Sequence, residues 1–180
     1  MKGIIEIRIH GKGGQGAVTA SEVLAIAAFK DGKYSQAFPR FGPERTGAPV
    51  EAYCRIDDKF INLRTFIYEP DYLIVLDDSL LKLNITKGLK KGGTIIINTD
   101  RKSPIKGFNV FTIDATKIAL EVLGRPIVNT AILGAFVRVT GLISLKSLKE
   151  AILERFPGDV GKKNIIAIEK SYESCGKMIE

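Results

Sequence analysis

Apolar and polar positions alternate along residues 4–10, with Ile5, Ile7 and Ile9 on one face, and the pattern stops at a cluster of glycines. A period of two is that of a half-buried strand, and the glycines predict a tight turn behind it. The next run, AVTASEVLAIAAFK over residues 17–30, is apolar almost all round. It predicts a helix buried between a sheet and a second surface, a partner being one candidate for that surface. Residues 33–38 read as a second strand, and FPRFGPERTGAP (38–49) has too many prolines and glycines for regular structure.

Val50, Ala52, Cys54 and Ile56 then fall on one face and Glu51, Tyr53 and Arg55 on the other, which is again a strand. Asp57-Asp58-Lys59 predicts a turn into a paired strand around Phe60–Leu63, and that hairpin would make the sheet mixed. YLIVL at 72–76 is continuously apolar, as in a strand covered on both faces, and Asp77, Asp78 and Ser79 behind it are helix-capping residues. Strands follow at 94–98 and 109–114. Asp114 is placed to cap a helix at 115–124, and helical patterns run from Pro126 to about Val139, over 144–156 and over 161–178.

Strands alternating with helices predict a single α/β domain spanning 1–180, a doubly wound Rossmann-like mixed sheet with helices on both faces. Ligands of such sheets bind beyond the carboxyl ends of the strands, near the point where the winding reverses, so the end of the first strand is where a site is expected.

Composition narrows the function. The chain has 180 residues, of which 45% are apolar, and no apolar run nears the ~20 residues of a membrane span. The amino terminus passes straight into a strand pattern without a leader-like segment, so the cytoplasm is the expected compartment. Plentiful Lys, Arg and Glu with no Trp is compatible with a thermophilic source. The net charge of +7 is spread along the chain without a basic cluster interleaved with aromatics. That pattern suits a ligand with several phosphates, or an acidic protein such as a ferredoxin-like carrier, better than nucleic acid. With only Cys54 and Cys175, and no C-x-x-C, the chain cannot ligate an iron–sulfur cluster unaided. With His10 as its one histidine, no zinc site and no nucleophile–histidine arrangement is expected, and no catalytic residue is assigned.

Gly11, Gly13 and Gly16 within GKGGQG satisfy G-x-G-x-x-G between a predicted strand and helix. Glycines permit a tight turn and close backbone approach, and the first amides of the helix present unpaired donors and a partial positive charge to an anion. Lys12, Gly14 and Gln15 complete the candidate phosphate loop; the alternative is that its glycines only let helix pack on strand. A dinucleotide reader needs an acid at the end of the second strand. SQAFPRF has none, which counts against NAD or FAD, although Arg40 could serve an NADP-like phosphate. The loop also lacks the G-K-[ST] ending of an ATP-binding loop.

Arg40, Glu44 and Arg45 form a second constellation, able to clamp phosphates or partner carboxylates or merely to brace a long loop. His10 could reach a ligand or bond to backbone. Asn129, with Thr130, could cap a helix or meet a ligand. Asp77, Asp78, Asp100 and Asp114 line up along the sheet's carboxyl edge, where capping explains most of them. Cys54 is in phase with the buried face.

EIRIHGKGGQGAVTA (6–20) and FPRFGPERTGAPVEAYCRI (38–56), together with DYLIVLDDSLL (71–81) and NTAILGAF (129–136), resemble the gamma subunit, or fused gamma domain, of pyruvate and related 2-oxoacid:ferredoxin oxidoreductases. The resemblance implies a complex that oxidatively decarboxylates a 2-oxoacid to acyl-CoA and reduces ferredoxin. It also implies alpha, beta and delta partner subunits that carry thiamine diphosphate and the 4Fe-4S clusters. This chain would pack on them and help bind coenzyme A, with Gly11–Gly16, Arg40, Arg45 and Asn129 near the ligand and Lys12 and Arg45 facing its phosphates. A stand-alone NAD(P)-binding protein and a purely structural subunit are the alternatives.

Overall fold

The computed structural model describes residues 3–40 and 47–175. In chain order it contains β1 (Ile5–Lys12), α1 (Ala17–Lys30), β2 (Tyr34–Pro39), β3 (Pro49–Asp57), β4 (Tyr72–Val75), a 3-10 helix (Asp78–Lys82), β5 (Thr94–Asn98) and β6 (Asn109–Ile113). Four helices follow: α2 (Ala115–Leu123), α3 (Val128–Thr140), α4 (Leu145–Arg155) and α5 (Asp159–Ser174). The six strands form one mixed sheet in the order β2-β3-β1-β4-β5-β6. β1, β4, β5 and β6 are parallel, and β3 runs against both β1 and β2. The fold is the expected doubly wound α/β sheet, with β1 at the reversal of winding.

β3 makes the sheet mixed, but not through a hairpin with 60–63. Its two edges are taken by β1 and β2, and residues 60–64 form no strand. They belong to an irregular strap instead. Its carbonyls are held by side chains, Gln36 Nε2 donating to the Ile61 carbonyl at 3.0 Å and Arg55 Nη2 to that of Thr65 at 2.8 Å.

Cover on the two faces is unequal. Ile7, Ile9, Ala52, Cys54, Ile74 and Ile96 share one apolar core with residues from all five α-helices. The parallel links β4 to β5 and β5 to β6 cross the other face, as right-handed connections of reversed direction must. That crossing uses the 3-10 helix and irregular chain, whose Leu80, Ile85 and Leu89 pack on Leu73, Val75, Ile95 and Ile97. Each fully buried Ile or Leu contributes roughly 1.5–3 kcal/mol, so both layers hold. Arg8, on this face, secures the crossing by donating to the carbonyls of Ile85 at 2.8 Å and Lys87 at 2.7 Å.

Most of the apolar surface of α1 is covered within the chain, because it packs on β1, β2 and β3 with one side and on α4 with another, while Phe29 stays 71% exposed. α3 and α5 cross at Gly134, where a Cβ would run into the Ile168 carbonyl oxygen and lie 3.0 Å from the Tyr172 nitrogen. Cys54 is wholly buried, and burial pushes its thiol up to about 12.

Candidate functional site

The glycine loop leaves β1 at the carboxyl edge of the sheet. Gly11 permits close packing, since a Cβ there would stand 3.1 Å from Leu76 Cδ1. The Gly13 N–H donates to Ala48 O at 2.8 Å, and the Gly47 N–H donates back to Gly13 O at 3.3 Å, tying the loop to the start of β3. Gln15 folds over the turn: its N–H donates to Lys12 O at 2.9 Å and its Oε1 accepts from Lys12 N at 2.7 Å. Its Nε2 reaches Asp77 Oδ2 at 2.9 Å, and Lys12 Nζ meets the same oxygen at 2.9 Å. Asp77 therefore locks the loop. Partial burial pushes its carboxyl up, but hydrogen bonds from Ser79, Lys12 and Gln15 outweigh that and hold it at about 2. Nothing in the sequence read alone pairs Asp77 with Lys12; the adjacency of β1 and β4 creates the contact.

Gly14 and Gly16 both have positive φ, +92° and +78°. A Cβ on Gly14 would meet nothing within 4 Å, so the loop's crest is open. A Cβ on Gly16 would collide with Asn129 Nδ2 and stand 3.0 Å from its Cγ. Asn129 donates from Nδ2 to Gly16 O at 3.3 Å and accepts from Thr130 N at 3.0 Å, clamping α1 to α3 from the first turn of α3. Gly16 is the N-cap of α1 and, having no side chain, leaves the helix without a side-chain cap. An uncapped N-terminus beside an open glycine and a lysine is an anion-favouring rim.

Beside that rim, at the ends of β4, β5 and β6, lies a cleft of about 790 Å³ bounded by Gln15, Asp77, Asn98, Asp114 and Val128, the position expected for a doubly wound sheet. Its carboxylates are engaged. Asp78 accepts from Thr99 Oγ1 at 2.9 Å and from Arg101 Nη2 at 2.6 Å, and Asp114 caps α2 through Lys117 N at 2.8 Å. Among the described residues, Asp77, Asp78, Asp100, Asp114 and Glu121 line the cleft against Arg101 and Lys117. A polyphosphate is therefore favoured at the rim and repelled from the cleft floor.

Arg40 Nη1 donates to Glu51 Oε2 at 3.0 Å, and with the side chain 57% exposed the other donors of its guanidinium face solvent. Glu44 and Arg45 lie outside the described residues. Of the two readings of His10, the backbone bond is not made among the described residues. The imidazole Nε2 accepts from Arg8 Nε at 3.0 Å, and its Nδ1 stands 3.7 Å from Glu51 Oε1. Burial, then the Arg8 charge, pull the imidazole down to about 4 against the opposing pull of Glu51. With Nε2 occupied, it cannot serve as a general base.

A family model described as pyruvate ferredoxin/flavodoxin oxidoreductase matches residues 6–174. Pyruvate synthase subunit PorC of Methanocaldococcus jannaschii is 59% identical over 97% of this chain and 98% of its own. The crystal structure of the PORC subunit of Thermotoga maritima pyruvate oxidoreductase superposes with a TM-score of 0.86 at 41% identity, over 97% of this chain and 98% of that one. All of this chain also overlays 32% of 2-oxoglutarate:ferredoxin oxidoreductase from Magnetococcus marinus, solved with 2-oxoglutarate, coenzyme A and succinyl-CoA bound, with a TM-score of 0.81. At 19% identity that likeness concerns the fold alone. The chain belongs to the pyruvate ferredoxin/flavodoxin oxidoreductase family, as the gamma subunit of a 2-oxoacid:ferredoxin oxidoreductase.

Proposed function

We propose that this subunit, in the cytoplasm, packs against alpha, beta and delta chains and offers the crest of its glycine loop and the start of α1 to the phosphates of coenzyme A. Thiamine diphosphate and the 4Fe-4S clusters sit in the partner chains in this reading, and ferredoxin takes the electrons. Two buried cysteines on separate elements cannot supply a cluster's ligands. The observation that carries the coenzyme A assignment is the uncapped amino end of α1 beside the open Gly14. Coenzyme A brings the thiol that accepts the acyl group; what this chain supplies is charge and position. Lys12 exchanges Asp77 for a phosphate oxygen at the rim, while Asn129 keeps the first turn of α1 in place.

A purely structural role for the loop is favoured by a different observation: the Gly13 amide and the Lys12 and Gln15 side chains already have partners within the chain. Coenzyme A affinity of the assembled enzyme separates the two. Lys12→Glu and Arg45→Glu should each weaken binding about tenfold or more, with the alanine variants in between. Unchanged affinity in enzyme that assembles normally would remove the coenzyme A role, and impaired assembly with unchanged affinity would establish the structural one.

A further inference from the structure

On the thinly covered face, the strap that follows β3 leaves a pocket of about 430 Å³ against edge strand β2, lined by Gln36, Phe38, Arg55, Leu63 and Arg64. Arg55 is 1% exposed. Its Nε is matched to Glu6 Oε1 at 2.9 Å, its Nη2 to Thr65 O, and its guanidinium lies 5.1 Å over the Phe38 ring. Its Nη1 is buried and has no hydrogen-bond partner among the described residues. Neither has Gln36 Oε1, although Gln36 sits directly opposite Arg55 in the β2–β3 register. One orphan is a donor and the other an acceptor, on neighbouring strands, in a pocket whose apolar wall is Phe38 and Leu63. Buried polar groups without partners are rare, and a pair of opposite sense calls for one group that both accepts and donates.

Around this pocket the surface is aromatic and open: Phe60, stacked edge-on against Tyr34, is 75% exposed, Tyr34 49% and Phe66 42%. Exposed apolar clusters of this kind mark protein interfaces. We infer that the β2–strap pocket receives a polypeptide segment of a neighbouring subunit, one amide of which accepts from Arg55 Nη1 and donates to Gln36 Oε1 while apolar side chains cover Phe60 and Phe66. An amide satisfies both orphans. A carboxylate would satisfy Arg55 but face Gln36 Oε1 with like partial charge, and the Arg55 charge is already matched by Glu6. Both orphan atoms are closed to water, so Leu63 and Arg64, exposed on the strap, swing aside as the segment enters.

The inference rests on this chain being packed against partner subunits, and the experiment separates the two. Purified complex is compared with the same complex carrying Leu63→Glu, and with a control carrying Leu83→Glu, which is exposed and outside the pocket. Leu63→Glu should reduce retained partner chain at least tenfold while leaving the melting temperature of the gamma chain unchanged, and Leu83→Glu should assemble normally. Amides 35–38 and 61–66 should exchange hydrogen at least tenfold more slowly in the complex than in the chain by itself. A structure of the complex should place a partner amide within hydrogen-bonding distance of both Gln36 and Arg55. Normal assembly of Leu63→Glu, or unprotected amides in an intact wild-type complex, overturns the pocket assignment alone. Failure of the wild-type chain to associate with any partner overturns the subunit packing as well. Protection that already appears in the chain by itself as concentration rises assigns the pocket to a second copy and overturns the inference.

Discussion

Replacing Asp77 with asparagine tests whether the carboxylate is the lock of the glycine loop. The shift of Asp77 from 3.8 to about 2 corresponds, at about 1.36 kcal/mol per unit, to an upper limit of about 2.4 kcal/mol of stability at neutral pH. Its side chain is 20% exposed and that of Lys12 34%, so solvent screening lowers the expected value to about 1.5 kcal/mol. The sign follows from the depressed acid: the contribution is complete above the unfolded value near 3.8 and is lost as pH falls through about 2. By pH 3 roughly half of it remains. Urea unfolding of wild type and Asp77→Asn from pH 7 to pH 3 should therefore show a gap of about 1.5 kcal/mol that halves at the acid end. A gap that is constant across that range would refute the lock, because it would mean that shape and not charge is what Asp77 contributes.

Gly134→Ala should destabilise the chain by about 2 kcal/mol in the same assay, because the alanine's helix propensity, worth about 1 kcal/mol, is smaller than the cost of driving α3 away from the α5 backbone. Gly16→Ala should cost about 2 kcal/mol through its positive φ and the collision with Asn129, and Asn129→Ala should recover part of that loss in a double-mutant cycle. His10, at about 4, should keep its neutral imidazole chemical shifts from pH 8 down to pH 5. Because an unfolded histidine protonates near 6.5, the stability that His10 contributes should be complete above that pH and decline as pH falls from 6.5 toward 4.

Sequence pattern reached the strands and helices that depend on local periodicity. α1 ends at the positions expected, the β3 alternation puts Cys54 inside, and Asp114 caps α2. It failed where pairing is decided by neighbours far along the chain. Residues 60–63 look like a strand, but β3 has no free edge for them. The alternation put Tyr53 and Arg55 on the polar face of β3, but nothing local showed that the strap would cover them and leave each 1% exposed. At the site, the glycine spacing located the loop and its helix. The partners that decide what the loop can do, Asp77 from β4 and Asn129 from α3, are brought to it only by the sheet order and by helix packing. His10 illustrates the same limit, since its nitrogen is satisfied by Arg8, two residues back on the same strand face.

Because β1 lies between β3 and β4, its second edge stays bare during synthesis until Tyr72–Val75 has emerged. β2 and β3 are consecutive in the chain and can zip together earlier, but closing β1 onto β4 joins Ile7 to Tyr72 across all the chain between them, a slow kind of closure. A nascent chain arrested before Val75 carries Ile7 and Ile9 on a strand with a bare edge, which is a template for aggregation.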